Sequence, residues 1–323
     1  MRTAISTIDG NDWLDPVWRA GAEAWATERL AAHGTPVTGP FEQTRVRPWS
    51  VSLRVPTTRG VHWFKANTHG CRYEAALASA LAWWAPSEVL VPVAVDADRG
   101  WLLTADAGQI LRETAPTLDD WARMLAAYGA LQRVLTERAD EMVALGVPDL
   151  RPERLPAQLA GLLDDPAVRA DLGEQRLAAV SAVAPAYADW CAELAADGLA
   201  PSLQHDDLHD GNVFVNGRFF DWGDASVAHP FGTLLVTLSS AGHTFGLRPG
   251  APELLRLRDA YLADWPGDPA ALRHSATLAC RVTRVSRALS WRRSLDRSSL
   301  PLDDDVRTAP AEWLGELTEA DVI

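Results

Sequence analysis

The residues with the densest chemistry lie in one stretch, His205 to Asp224, which reads HDDLHDGNVFVNGRFFDWGD. Asp207 is a carboxylate able to take a proton from a hydroxyl, and Asn212 and Asp221 offer the oxygen ligands that a hard divalent cation such as magnesium accepts. Between them, Asn216-Gly217 is the pair favoured in a two-residue type I′ turn, because both central positions need φ > 0. That turn sets Val215 opposite Arg218, Phe214 opposite Phe219, Val213 opposite Phe220, and Asn212 opposite Asp221. Directly opposed residues lie about 4.5–5.5 Å apart at Cβ, so the expected hairpin brings two oxygen ligands within reach of one ion.

A metal-assisted phosphoryl transfer needs few protein groups: one to hold phosphates, one or two for the metal, and a carboxylate to accept the hydroxyl proton. His205-Asp206-Asp207-Leu208, with Asn212 five positions after Asp207, fits the kinase catalytic-loop pattern, and Asp221-Trp222-Gly223 fits the Asp-Phe-Gly element. On these residues the chain resembles the aminoglycoside phosphotransferase-type enzymes, within the kinase-like superfamily that also holds choline and other small-metabolite kinases. The family form resembles H-G-D-L-H-P-G-N followed by I-D-W/F-G. The resemblance implies an α+β, two-lobed protein-kinase-like fold, with ATP and Mg2+ as cofactors. It implies Asp207 as the catalytic base, Asn212 and Asp221 as magnesium ligands, and His205 as a support of the loop. Asp206 and Asp210 stand where the family usually has Gly and Pro, and each is expected to be a solvated surface carboxylate. His209 is expected to orient the loop. Asp224 reads either as a contact to a second metal or the acceptor, or as the cap of a following helix.

A length of 323 residues with 47% hydrophobic content suits two domains, here 1–106 and 107–323. In the first, Asp15-Pro16 opens a helix to Ala32. Glu42 to Arg47, Ser50 to Val55 and Val61 to Ala66 read as a three-stranded meander, followed by a helix from Cys71 to Trp84. Val89 to Val95 and Trp101 to Ala105 complete a five-stranded sheet. The second domain is mainly helical, opening with a Thr117/Asp120 capping box and a long helix towards Gly146. Its clear sheet element is the hairpin, preceded by Pro201 to Gln204 and followed by helices near Leu234, Pro252 to Trp265 and Pro269 to Leu295.

Among 30 basic residues the chain has a single lysine, Lys65, on the third predicted strand. Lysine is a compact charge on a slim stem, and arginine does not replace it in a narrow phosphate site. Lys65 precedes the helix carrying Glu74, the arrangement in which a kinase lysine holds the α- and β-phosphates while a glutamate positions it. The first turn reads Arg47-Pro48-Trp49-Ser50 instead of a glycine-rich loop. Pro48 has no amide hydrogen to donate, and the resemblance implies Ser50, through its amide or hydroxyl, as the phosphate contact there. The resemblance sets the adenine against backbone near Thr104 and Asp106.

A formal net charge of −13 disfavours nucleic acid and anionic membrane as partners. Three widely spaced cysteines and the absence of an apolar spanning run or signal core fit a reduced, cytoplasmic setting. Most of the 14 tryptophans, Trp83 and Trp84 included, are expected in packed positions. Arg281, Arg284, Arg287 and Trp291 recur at near-helical spacing and suit an anionic or aromatic acceptor, with a solvated face as the simpler expectation. Asp303 to Asp305 read as an exposed acidic loop. The leading expectation is an ATP- and magnesium-dependent phosphotransferase acting on a hydroxyl of a small molecule. A protein kinase is disfavoured because Asp224 to Leu234 has no room for a long activation segment. A nucleotide-binding regulator without turnover is the alternative, supported by the glycine-poor turn. Oligomeric state and the acceptor are not legible.

Overall fold

The computed structural model describes residues 13–298 and 300–323. The chain divides into two units, one running to Ala107 and taking in Arg293–Leu302, the other formed by Gly108–Arg292 and Asp303–Ile323.

In the first unit, α1 (Pro16–Ala32) begins as expected, with Asp15 accepting the Val17 amide at 2.8 Å and Pro16 in the first turn. Its buried Trp18, Ala22, Trp25, Ala26 and Leu30 recur at helical spacing. The sheet comprises β1 (Glu42–Val46), β2 (Ser50–Thr57), β3 (Gly60–Asn67), β4 (Pro92–Asp96) and β5 (Trp101–Ala105), antiparallel in the order β1-β2-β3-β5-β4. Helix α2 (Tyr73–Trp84) lies between β3 and β4 in the chain.

Alternation along β3 separates two jobs. Phe64 and Ala66 turn into the core with α1, where Trp18, Trp25, Phe64 and Trp101 meet edge to face at centroid separations of 5.4–6.2 Å. Lys65 and Asn67 turn to the opposite face, towards Glu74 of α2. Trp83 is not packed: it is 84% exposed. Nearly every residue of α2 is apolar, so the sequence marked no face, and the buried positions follow Tyr73, Leu77 and Leu81 instead. The late segment joins this unit through Thr68, whose hydroxyl donates to the Ser294 carbonyl at 3.1 Å.

The second unit opens on α3 (Leu118–Leu135), with the Thr117/Asp120 capping box formed in both directions. A 3-10 turn and α4 (Ala139–Ala144) carry the chain to Gly146, whose φ of +93° ends the run. Next come α5 (Leu155–Asp164) and α6 (Pro166–Ala195), the latter broken at Gly173 with φ 71°. Then β6 (Ser202–Gln204) pairs antiparallel with β7 (Ser226–Ala228), and α7 (Leu234–Phe245), α8 (Pro252–Leu262), α9 (Pro269–Ser294) and α10 (Asp304–Gly315) follow. Asp304 and Asp305 occupy the first turn of α10 rather than a loop, where carboxylates complement the helix dipole.

Strand β6 is the platform for the loop after it, and buried polar groups hold it. The Tyr128 hydroxyl and Gln132 Nε2 of α3 both donate to the Leu203 carbonyl, at 3.0 and 2.9 Å. Gln132 Nε2 also reaches the Pro230 carbonyl at 2.9 Å, and Tyr261 of α8 donates to that same carbonyl at 3.0 Å. A satisfied buried network of this kind fixes one arrangement.

Candidate active site

His205 leaves β6 fully buried and organises the turn that follows. Its Nδ1 accepts the Asp207 amide at 3.2 Å, so its proton is on Nε2, which meets the Phe220 carbonyl at 3.1 Å. Burial lowers its pKa, which keeps the ring neutral in that role. His209 is fixed in the same way. Its Nδ1 accepts from the Gly211 amide at 2.9 Å and from Arg112 Nη2 at 3.1 Å, leaving Nε2–H to face Asp207 Oδ2 at 3.5 Å. Gly211 is required here, because a Cβ would sit 2.8 Å from the His209 ring and 2.9 Å from the Arg112 guanidinium carbon.

The two oxygens of Asp207 have different surroundings. Oδ2 faces His209 and accepts from Asn212 Nδ2 at 3.2 Å, while the same Asn212 amide donates to the Asp207 carbonyl at 2.8 Å. Oδ1 faces Arg287 Nη2 at 3.9 Å, an ionic distance too long for a hydrogen bond. Burial pushes the Asp207 carboxyl up, but the His209 contact and the Arg287 charge outweigh it and hold the pKa below the ordinary Asp value.

Asp206 and Asp210 are not solvated carboxylates; both are buried. Asp206 accepts from Gln204 Nε2 and from Ser226 Oγ, tying β6 to β7. Asp210 accepts from Arg112 Nε at 2.8 Å, so the residue that stands in place of the family's proline anchors the arginine that fixes His209. Sequence reading missed Arg112 because the segment that delivers it is distant in the chain. Residues 109–112 run along the hairpin, with Leu111 donating to the Val213 carbonyl at 2.9 Å and Arg112 to that of Asp210 at 2.9 Å. Arg284 and Arg287 are likewise buried, whereas a solvated face was expected. The packing of α10 and the C-terminal segment against α9 covers them: Arg284 donates to the carbonyls of Glu316, Glu319 and Ala320. Asp224 caps no helix; it ends a 3-10 turn before β7 and accepts from Ser290 Oγ.

The hairpin forms in a different register. Val213 pairs with Phe219, and Phe220 donates to the Asn212 carbonyl at 3.1 Å, so Phe220 and not Asp221 stands opposite Asn212. Within the loop Gly217 alone has positive φ, at 86°, and its amide returns to the Phe214 carbonyl at 2.8 Å. The loop is therefore three residues with a closing left-handed glycine, and the extra residue shifts every pair by one. Asp221 lies two residues beyond the bridged Phe219, with a left-handed backbone, φ 67° and ψ 64°. Aspartate and asparagine adopt this conformation more readily than other non-glycine residues.

The donor set suits magnesium. Asn212 spends its amide nitrogen on Asp207, so its oxygen could serve as a ligand, and the Asp221 carboxylate could be a second. No cluster of three or more His, Cys, Asp or Glu able to hold a metal occurs among the described residues. One or two oxygen ligands, completed by water and substrate phosphates, is a magnesium arrangement rather than a zinc one.

In the first unit, Lys65 Nζ meets both carboxylate oxygens of Glu74, at 2.9 and 2.7 Å. Glu74 is 1% exposed and Lys65 20%, so the pair is buried at its acidic end and half-buried at its basic end. Asn67 Nδ2 also donates to Glu74. Its place was readable, since it stands two residues after Lys65 on one strand face. Ser50 opens β2, and its carbonyl accepts the Arg47 amide at 2.8 Å. That bond and Pro48 remove two amides from any phosphate cradle at this turn. Thr104 is buried on β5; the Asp106 amide is spent on the Val61 carbonyl at 3.0 Å and its carboxylate accepts from Trp63 Nε1 at 3.1 Å.

A five-stranded antiparallel sheet with a helix after its third strand, followed by a mainly helical unit, is a two-lobed protein-kinase-like fold. The sequence pattern of the phosphotransferase enzyme family matches residues 47–274, and the chain belongs to that family. Among solved structures, a choline/ethanolamine kinase family protein from Mesorhizobium loti is similar at TM-score 0.60 and 19% identity, over 93% of this chain and 95% of that one. Aminoglycoside 2'-phosphotransferase-IIIa, solved with GDP, is similar at TM-score 0.60 and 15% identity, over 92% and 98%. Macrolide 2'-phosphotransferase type I is similar at TM-score 0.58 and 17% identity, over 90% and 96%. At these identities the likeness is one of fold. No curated protein sequence matches the chain.

Proposed function

We propose that this phosphotransferase is ATP- and magnesium-dependent and moves the γ-phosphate to a hydroxyl of a small molecule such as an aminoglycoside, amino sugar, sugar or amino alcohol. The observation that carries the reading is the divided environment of Asp207: Oδ2 faces Asn212 and His209, while Oδ1 is left to accept a proton. In this reading the acceptor hydroxyl gives its proton to Oδ1 as its oxygen bonds to the γ-phosphorus, and the bond to the β-phosphate oxygen breaks, releasing ADP. Lys65, steadied by Glu74 and Asn67, holds the α- and β-phosphate oxygens. Asn212 and Asp221 hold magnesium, which when bound neutralises charge on the phosphates. For the adenine, the backbone near Thr104 and Asp106 is the proposed contact, through carbonyls rather than the spent Asp106 amide. Ser50 is the proposed phosphate contact at the first turn. The test is an ATP-consumption screen over these acceptor classes. Acceptor-dependent ADP release supports the reading, and phosphorylation of a generic protein substrate in its place would move the chain to the protein kinases.

A nucleotide-binding regulator without turnover is the second reading, favoured by the turn at Arg47–Ser50, where Pro48 has no amide and the Arg47 amide is already bonded. Tight nucleotide binding with no ADP release across the whole acceptor panel would select it.

A further inference from the structure

The unused donors of Arg287 lie beside the proposed base. Arg287 sits on α9, 5% exposed, and among the described residues its Nε and Nη1 have no hydrogen-bond partner. Its nearest carboxylates stand off: Nη2 is 3.9 Å from Asp207 Oδ1 and Nη1 is 3.8 Å from Asp224 Oδ1. That Asp224 oxygen already accepts from Ser290, and the guanidinium carbon lies 5.5 Å from the centroid of the Trp313 ring. One turn earlier, the terminal nitrogens of Arg284 are spent on carbonyls of the C-terminal segment. Arg287 has no such sink, and a buried donor without an acceptor is a cost that a bound group can remove.

We infer that Arg287 belongs to the acceptor site and selects a reacting hydroxyl flanked by oxygen over one flanked by an ammonium. The inference rests on the phosphotransferase reading and narrows its acceptor. A hydroxyl that gives its proton to Oδ1 approaches to about 2.7 Å. It then lies next to the guanidinium, whose N–H groups need lone pairs. A neighbouring hydroxyl, ether or carboxylate oxygen supplies them. An ammonium has no lone pair and adds a like charge to a desolvated cation.

Two frames test this, each in forms that differ in the group beside the hydroxyls. On the two-carbon frame these are ethylene glycol, ethanolamine and glycolate; on the three-carbon frame, 1,2-propanediol, 1-amino-2-propanol and lactate, so that the ammonium members have no oxygen beside the reacting hydroxyl. ADP release is measured for the wild type and Arg287→Met, with magnesium-ATP affinity by calorimetry as the control for fold. The oxygen-bearing members are expected to show kcat/KM about 10–100-fold above the ammonium members, the range of one charge-assisted hydrogen bond. Arg287→Met is expected to remove that preference while nucleotide affinity stays unchanged. Ethylene glycol against glycolate then separates a neutral oxygen from an anionic one. Because Arg287→Met leaves two carboxylates without their cation, Arg287→Met with Asp224→Asn is measured beside it and is expected to show the same loss of preference. Preference for the ammonium members, or a preference unchanged in both variants, overturns the assignment of Arg287 alone. No turnover on either frame overturns the oxygen-flanked acceptor, and missing magnesium-ATP binding would overturn the phosphotransferase reading with it.

Discussion

At the scale of single residues, the site depends on how each charged group is held. Glu74 is a buried carboxylate with Lys65 and Asn67 as donors, so Lys65→Ala should do two things. It should lower stability by about 3 kcal/mol in chemical denaturation, the low end for breaking a buried pair because Asn67 remains. It should also weaken productive phosphate placement, and full activity in that variant would make the lysine incidental. Asp207 carries a second prediction. Its pKa is held below the ordinary value of 3.8, so the base is ionised above that pH and is lost only as pH falls through its lower folded value. An acid limb in kcat near pH 6.5, the usual histidine range, would contradict a carboxylate base. The meeting of Lys65 with Glu74 was legible from the single lysine and the helix after its strand, and that of Asp207 with Asn212 from motif spacing. Arg112 was not, and Arg287 stood only in a helical row for which a solvated face was the simpler expectation, since each reaches Asp207 or its neighbour His209 through tertiary packing.

At the scale of elements, a small number of close approaches set the loop after β6. Gly232 has no room for a side chain: a Cβ would lie 1.9 Å from Gln204 Oε1 and 2.3 Å from Thr283 Oγ1. Gly232→Ala should therefore cost roughly 1–3 kcal/mol, the usual penalty of overpacking, and move Gln204, the buried donor to Asp206. A variant with unchanged thermal stability would show that this contact gives way cheaply. Helix starts were readable here because their caps are local, as at Asp15-Pro16 and Thr117/Asp120. The hairpin register was not, because Asn216-Gly217 serves both a two-residue turn and a three-residue loop closed by glycine. The pairing of the hairpin with residues 109–112 is part of the arrangement the structure adopts, and no local pattern announces it.

At the scale of the molecule, alternating strands followed by a helical half gave the two-lobed class, while the return of Arg293–Leu302 to the first unit depends on contacts far apart in sequence, such as Thr68 with Ser294. Among the described residues no helix is long and apolar enough to cross a membrane. Asp221→Ala should abolish the magnesium-dependent part of nucleotide binding, and an unchanged magnesium-ATP affinity in calorimetry would contradict the metal assignment. The central claim is that Asp207 takes the proton of an acceptor hydroxyl during phosphoryl transfer. The most direct measurement is acceptor-dependent ADP release by the wild type and by Asp207→Asn, which keeps the shape and removes the base. The account predicts a loss of turnover on the order of 10²–10⁴-fold with nucleotide affinity retained. Turnover within a few-fold of the wild type in Asp207→Asn would contradict it.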